Sequence, residues 1–210
     1  MAVHEILDLG EGKRERTKAA NRQAILAAAR RVFGELGYDA TTVRDIIRGT
    51  DLASGTFYNY FKSKEEVFEA LQDDSAHRFR PLLREQCERA DTFEDFVRGT
   101  LDAYFHFLAN EKASGRIMQR PQSQFTHWVD TPEMKAIFLE VRLQIERAVG
   151  RGLAPNIDAD YLAAASIGIA REVGERLLHR ADGNVAHASA FCADLILHGV
   201  ARLPEAGANA

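Results

Sequence analysis

The sequence predicts an all-helical chain, on three observations. Apolar residues recur at spacings of three and four along nearly every segment, and no stretch alternates strictly between apolar and polar. The breaks between periodic runs, RADT, GRGLAPNID and RADGN, carry Pro, Gly, Asn or Asp. With 210 residues, 46% of them hydrophobic and 28% charged, the chain can bury one sizeable core, or one core and a small satellite, without disulfides. Cys87 and Cys192 are too few for a disulfide framework and stand at no metal-ligand spacing, which predicts reduced thiols. No apolar run approaches the ~20 residues of a membrane span, and the first dozen residues lack the charged start and apolar stretch of a signal peptide. A cytoplasmic protein that does not engage the membrane is expected.

A first helix is predicted from about Thr17 to Leu36, with Ile25, Ala29, Phe33 and Leu36 on one side and Gly37 as its stop. TTVRD opens a second, short helix ending near Thr50: Thr41 or Thr42 can cap it, Asp45 suits its first turn, and Val43, Ile46 and Ile47 form its apolar side. After the turn GTDLAS a helix of about eight residues reaches Phe61. Four-residue spacing points Phe57 and Phe61 to the core with Tyr60 beside them, and gathers Ser54, Gly55, Tyr58 and Asn59 on the opposite face. A fourth helix begins at SKEE, where Ser63 and Glu66 have capping-box spacing and Val67, Phe68 and Leu71 form the buried stripe. Longer helices follow at about 73–89, 93–110, 113–120, 131–150, 158–180 and 184–203, without internal repeats or low-complexity tracts.

Charge is unevenly spread. The formal net charge is −4, yet residues 1–64 hold 11 Lys or Arg against 8 Asp or Glu, and the remainder holds 16 against 23. Residues 13–31 alone carry seven cations and one acid. An acidic body with a basic front end suits a protein that meets a polyanion at one place, although a solvated helix face would read the same way on charge alone.

Two short helices joined by a tight turn, with a helix before and after, make a helix-turn-helix module, whose second helix can enter the DNA major groove. The outward face fits that use. Gly55 permits close backbone approach, Thr56 offers a methyl and a hydroxyl, Ser54 is short enough for a base edge, and Tyr58 and Asn59 carry polar tips suited to phosphates. The helix starts at Thr42 and at Ser63–Lys64 are natural phosphate clamps, Arg44 can reach a phosphate or a guanine, and Lys13, Arg14, Arg16 and Lys18 can trail along the backbone as an arm.

NRQAILAAARRVFGELGYDATTVRDIIRG followed by GTFYNYFKSKEEVF closely resembles the DNA-binding domain of the TetR family of bacterial transcriptional regulators, over about residues 17–68. Carried over position by position, the resemblance implies DNA contacts from Thr42, Arg44, Ser54, Gly55, Thr56, Tyr58, Asn59 and Lys64. Two positions depart from the family pattern: Asp51 stands where Gly is usual in the turn, and Ala53 where Ser usually caps the recognition helix. Loss of a capping oxygen costs ~1 kcal/mol, so the helix is expected to start one residue later on Ser54, which would divert that hydroxyl from base reading. The expected organisation is a flexible arm (1–12), a three-helix helix-turn-helix domain (13–64), an effector-binding and dimerisation domain (65–204) and a flexible tail (205–210).

The resemblance also implies an all-helical ligand-binding domain and a homodimer built from the last two long helices. Residue chemistry supports the dimer independently, because DADYLAAASIGIAREVGERLL and NVAHASAFCADLILHGVARL place apolar or small residues on more than one face. A two-fold dimer implies a roughly palindromic double-stranded operator. Phe105, Phe125, Trp128 and Phe138 come from separate segments that could line an apolar effector pocket, with His106 and Arg142 among its polar candidates. The expected effector is a small apolar or amphipathic molecule, and an arginine could meet the charged end of a longer acylated one. Ligand-relieved repression follows if the effector fits the conformation that DNA does not, and activation or corepression follows if it fits the other. No cofactor is expected. An enzyme is disfavoured by the lack of HExxH, glycine-rich phosphate loop or nucleophile elbow, and an architectural DNA-binding protein by the net acidic charge.

Overall fold

The computed structural model describes the backbone of residues 2–114 and 131–200, and the side chains of 14–114 and 131–199. Every regular element among the described residues is an α-helix: α1 (Ala2–Leu36), α2 (Val43–Arg48), α3 (Ser54–Tyr58), α4 (Lys64–Arg89), α5 (Phe93–Ala113), α6 (Pro132–Gly150), α7 (Ala159–His179) and α8 (Val185–Val200). The described residues fall into two compact units, one through Gln72 and one from Asp73 onward.

The first unit is built on the apolar stripe of α1. Ile25, Leu26, Ala29 and Phe33 pack with Ile46 of α2, Phe57 of α3, Phe61, and Val67, Phe68 and Leu71 of α4. Tyr38 closes this core, its ring 5.3 Å from Phe33 and 5.0 Å from Phe68. α1 ends where the sequence predicts: Gly37 adopts φ 77° and its N–H donates to the Phe33 carbonyl, a left-handed cap that a residue with a Cβ would strain. Its start differs. The helix continues back to Ala2 instead of beginning at Thr17, since no proline interrupts the Glu-, Lys- and Arg-rich stretch before it.

The second unit surrounds Phe79 and Leu83 of α4, Phe96, Leu101 and Phe105 of α5, Ile137, Val141 and Ile145 of α6, Leu162 and Leu177 of α7, and Cys192 and Ile196 of α8. The sequence predicts a break between Leu71 and Asp73, but α4 runs unbroken. Its buried residues Val67, Phe68, Leu71, Ala76, Phe79 and Leu83 keep helical spacing through the Asp73–Asp74 pair, which only looks like a helix start. The predicted helices over 131–150, 158–180 and 184–203 correspond to α6, α7 and α8, capped by Thr131, Asp158 and Asn184. Residues 115–120 and 201–203 of the predicted helices lie outside the described residues.

Candidate nucleic-acid interface

The start of α2 is a capping box. Thr42 is the N-cap, its hydroxyl accepting from the Asp45 N–H at 3.3 Å while Oδ2 of Asp45 accepts from the Thr42 N–H at 2.9 Å and from its hydroxyl at 2.6 Å. The Thr42 hydroxyl and then its N–H hold the Asp45 carboxyl below the usual carboxylate range. Thr41 is buried and donates its own hydroxyl to the Gly37 carbonyl at 2.7 Å, so of the two capping candidates Thr42 holds the role. Arg44, one residue into α2, is exposed. At the other end of α2, Arg31 of α1 donates to the Gly49 carbonyl at 3.0 Å.

Between α2 and α3 the Thr50 hydroxyl donates to the Ile47 carbonyl at 2.8 Å and accepts from the Leu52 N–H at 3.2 Å, and Leu52 packs against the core. α3 spans Ser54–Tyr58, five residues rather than about eight, and single turns carry the chain on to Phe61. Its N-cap is Ala53, which supplies no side-chain bond. Ser54 is therefore the first helical residue and not the cap, which corrects the expectation that its hydroxyl is diverted to capping. An uncapped start is consistent with so short a helix. Phe57 and Phe61 are 1% and 5% exposed, whereas Ser54, Gly55, Tyr58 and Asn59 are exposed and Thr56 is half-buried. A Cβ added at Gly55 would meet nothing within 4 Å, so packing inside the free chain does not require glycine there. Tyr60 is half-buried and its hydroxyl accepts from Asn21 of α1 at 3.3 Å.

The first turn of α4 is fastened to the loop before α2. Lys64 Nζ donates to the carbonyls of Tyr38 at 2.9 Å, Asp39 at 3.3 Å and Thr41 at 3.0 Å, and stands 4.5 Å from the centre of the Tyr38 ring. The Tyr38 hydroxyl donates to Oε1 of Glu65 at 3.0 Å. Burial, then the bond to Glu65, pushes the Tyr38 phenol well above the usual tyrosine range. Partial burial pushes the Glu65 carboxyl up, but hydrogen bonds, including those from Tyr38 and Ser63, outweigh it and hold the group low. Ser63 accepts from the Glu66 N–H at 3.2 Å, and the Glu66 carboxylate reaches back to the Lys62 N–H at 2.8 Å, one residue before the position the motif predicts. Sequence spacing does not reveal the three carbonyl partners of Lys64, because they follow from how the loop folds back and not from any local pattern.

Basic residues on α1 divide by role. Arg22 stands 5.6 Å from the centre of the Phe61 ring, while Arg14, Arg16 and Lys18 are exposed. These three lie on helical backbone rather than on a trailing arm; the side chain of Lys13 lies outside the described residues.

The expected effector residues lie in the second unit and are not gathered by what is described. Phe105 is fully buried and Phe138 packs half-buried against the same core. His106 is exposed, its Nδ1 2.9 Å from the Asp102 carbonyl oxygen, so it faces away from that core. Arg142 pairs with Glu146 at 3.1 Å, and its buried Nε has no partner among the described residues. Phe125 and Trp128 lie outside the described residues. A cleft of about 320 Å³ floored by Phe93, Phe96 and Ala148 and rimmed by Glu88, Asp91, Arg147 and Arg151 includes none of these candidates. Cys87 lies at this cleft, and Cys192 is fully buried in α8. Burial, with the Glu140 carboxylate adding to it at Cys87, pushes both thiols up to about 11.

Residues 25–71 match the family described as bacterial regulatory proteins, tetR family. The chain is 28% identical over 135 residues to the HTH-type transcriptional repressor AcnR of Corynebacterium glutamicum, covering 63% of this chain and 68% of that one. Its fold is similar to a putative TetR-family transcriptional regulator from Syntrophomonas wolfei, with TM-score 0.72 and 20% identity over 90% of this chain and all of that one. It is also similar to the transcriptional regulator FadR of Bacillus subtilis, solved in complex with stearoyl-CoA, with TM-score 0.67 and 19% identity over 85% of this chain and 98% of that one. These relatives are regulators and not enzymes, as the sequence led us to expect. Residues 25–71 thus match the tetR family of bacterial regulatory proteins, and over most of its length the chain is similar in sequence or fold to transcriptional regulators of that kind.

Proposed function

We propose that this chain is a ligand-responsive cytoplasmic repressor that binds a palindromic operator as a homodimer and leaves it when an apolar or amphipathic effector binds. The observation that carries the reading is the sorting of α3. Its phenylalanine is spent on the core, and a glycine that packing does not need stands exposed beside Ser54, Tyr58 and Asn59. Thr56 and Ser54 address base edges, Gly55 admits the groove floor, Tyr58 and Asn59 position on phosphates, and Thr42 and Arg44 engage the flanking backbone.

The dimer reading is supported by large apolar residues left exposed on the last two helices: Tyr161 at 76%, Phe191 at 54% and Leu195 at 49%. The arrangement of 13–64, 65–204 and 205–210 as DNA-binding domain, effector and dimer domain, and tail belongs to the same proposal, with residues 2–12 continuing α1 in place of the expected flexible arm. For the effector, Phe105, Phe138 and Arg142, with Phe125 and Trp128, supply rings and a charge, whereas His106 faces away from that core. The complex of FadR with stearoyl-CoA makes long-chain acyl thioesters the first probes to try. No helix among the described residues is long and apolar enough to cross a membrane.

The test compares binding to the chain's own upstream region with binding to random DNA at near-physiological salt. Preference for the upstream fragment by a factor of ~10³ or more is expected. Equal affinities would favour an architectural protein, and operator binding unchanged by both Thr56→Ala and Tyr58→Ala would overturn the site.

A further inference from the structure

We propose that Lys64 is a positioning residue that fixes where α2 begins, and not a phosphate contact; the proposal rests on the DNA-binding reading of the first unit. An ammonium has three N–H donors and no more. Lys64 Nζ has three carbonyl oxygens within hydrogen-bond distance, those of Tyr38, Asp39 and Thr41, at 2.9, 3.3 and 3.0 Å. The donor count is therefore met inside the chain, and a phosphate oxygen would have to displace one of these carbonyls, two of them in part-buried bonds. The face of the Tyr38 ring, 4.5 Å from Nζ, stabilises the same position.

What the ammonium grips is the segment that delivers α2. The Thr41 carbonyl immediately precedes Thr42, the N-cap whose hydroxyl and N–H meet Asp45. Tyr38 is held from two sides, by Lys64 through its carbonyl and by Glu65 through its hydroxyl. Loop 38–41 is thus wrapped onto the first turn of α4, and the first turn of α2, with Thr42 and Arg44, takes its place from that wrap. Removing the ammonium leaves three carbonyls to find new partners and frees the N-cap to shift.

Two variants and two readouts decide it. Lys64→Met removes the donors and the charge, and Lys64→Arg keeps the charge on a planar fork that cannot converge on three carbonyls. In the free protein, amide hydrogen exchange at Asp45 is expected to quicken by ~10-fold or more in both variants, as the capping box loosens. Affinity for the upstream fragment should fall in both, and the slope of log K against log salt should stay at the wild-type value in Lys64→Met. A direct phosphate contact instead predicts a slope smaller by about 0.9, and Lys64→Arg binding like wild type. The reduced slope, wild-type binding by Lys64→Arg, or unchanged exchange would each overturn the proposal. If Lys64→Met does not fold, exchange and affinity in Lys64→Arg decide between the two roles. A wild-type chain without operator preference would sink the regulator reading, while exchange in the free protein would still report on Lys64.

Discussion

Arg78 of α4 meets Glu111 of α5 with Nη1 2.6 Å from Oε1, and the Glu111 side chain is 6% exposed. Arg78 also pairs with Asp74 one turn back, at 3.2 Å. Desolvating a carboxylate this far is tolerable only with a close cation. Glu111→Ala leaves the guanidinium without its nearest carboxylate. Because Arg78 retains Asp74 and some solvent access, the expected loss is about 2 kcal/mol, below the ~3–5 kcal/mol of a fully buried pair broken on one side. Urea midpoints at constant m-value measure it, and an unchanged midpoint would show that the pair contributes nothing.

Asp45 gives the first unit an acid-sensitive helix start. Its folded-state pKa is depressed by the Thr42 hydroxyl and N–H, so its stabilisation is fully present above the unfolded-state value of about 4 and is lost as pH falls through the lower folded-state value. Asp45→Asn should lower the melting temperature at pH 6, and the gap to wild type should close as both are titrated towards pH 3. A gap that stays constant with pH would place the effect elsewhere.

Adjacent rings on α3 should behave oppositely. Phe57 is 1% exposed and packs against Phe61 with ring centres 6.2 Å apart, so Phe57→Ala should cost ~3–5 kcal/mol of stability. Tyr58 is 57% exposed and only edges onto Phe57, so Tyr58→Ala should cost less than about 1 kcal/mol yet weaken binding to every DNA sequence. Thermal melts and fluorescence anisotropy on labelled duplexes separate the two.

For the proposed dimer, Leu195→Asp should yield a monomer in sedimentation velocity with an unchanged helical circular dichroism spectrum, and Phe191→Ala should weaken association by ~2 kcal/mol or more. Both side chains are about half exposed in the single chain. A variant that sediments as a dimer would move the interface away from α8.

The burial pattern is legible in the sequence because it is periodic. The four-residue offset of Phe57 and Phe61, the Thr42–Asp45 spacing and the glycine after Leu36 each express a local rule, and the structure carries them out. The run of α4 past Asp73 is hidden because an acidic pair resembles a helix start when the helix it sits in is not known to continue. The grip of Lys64 on Tyr38, Asp39 and Thr41 spans 23 to 26 positions and depends on backbone carbonyls, which carry no residue identity and leave no mark on composition or period. The rings expected to line a pocket share the difficulty: helical spacing tells which side of a helix Phe105 and Phe138 occupy, but not whether they meet.

Cys192 is fully buried, and Cys87 is half-buried at the edge of the cleft. With both thiols pushed up to about 11, the fraction present as the reactive anion at neutral pH is about one in 10⁴. Peroxides and electrophiles attack that anion, so neither position is tuned to act as a redox trigger. Alkylating reagents are therefore expected to label both positions slowly in the folded chain at neutral pH, which mass spectrometry against the urea-unfolded chain measures.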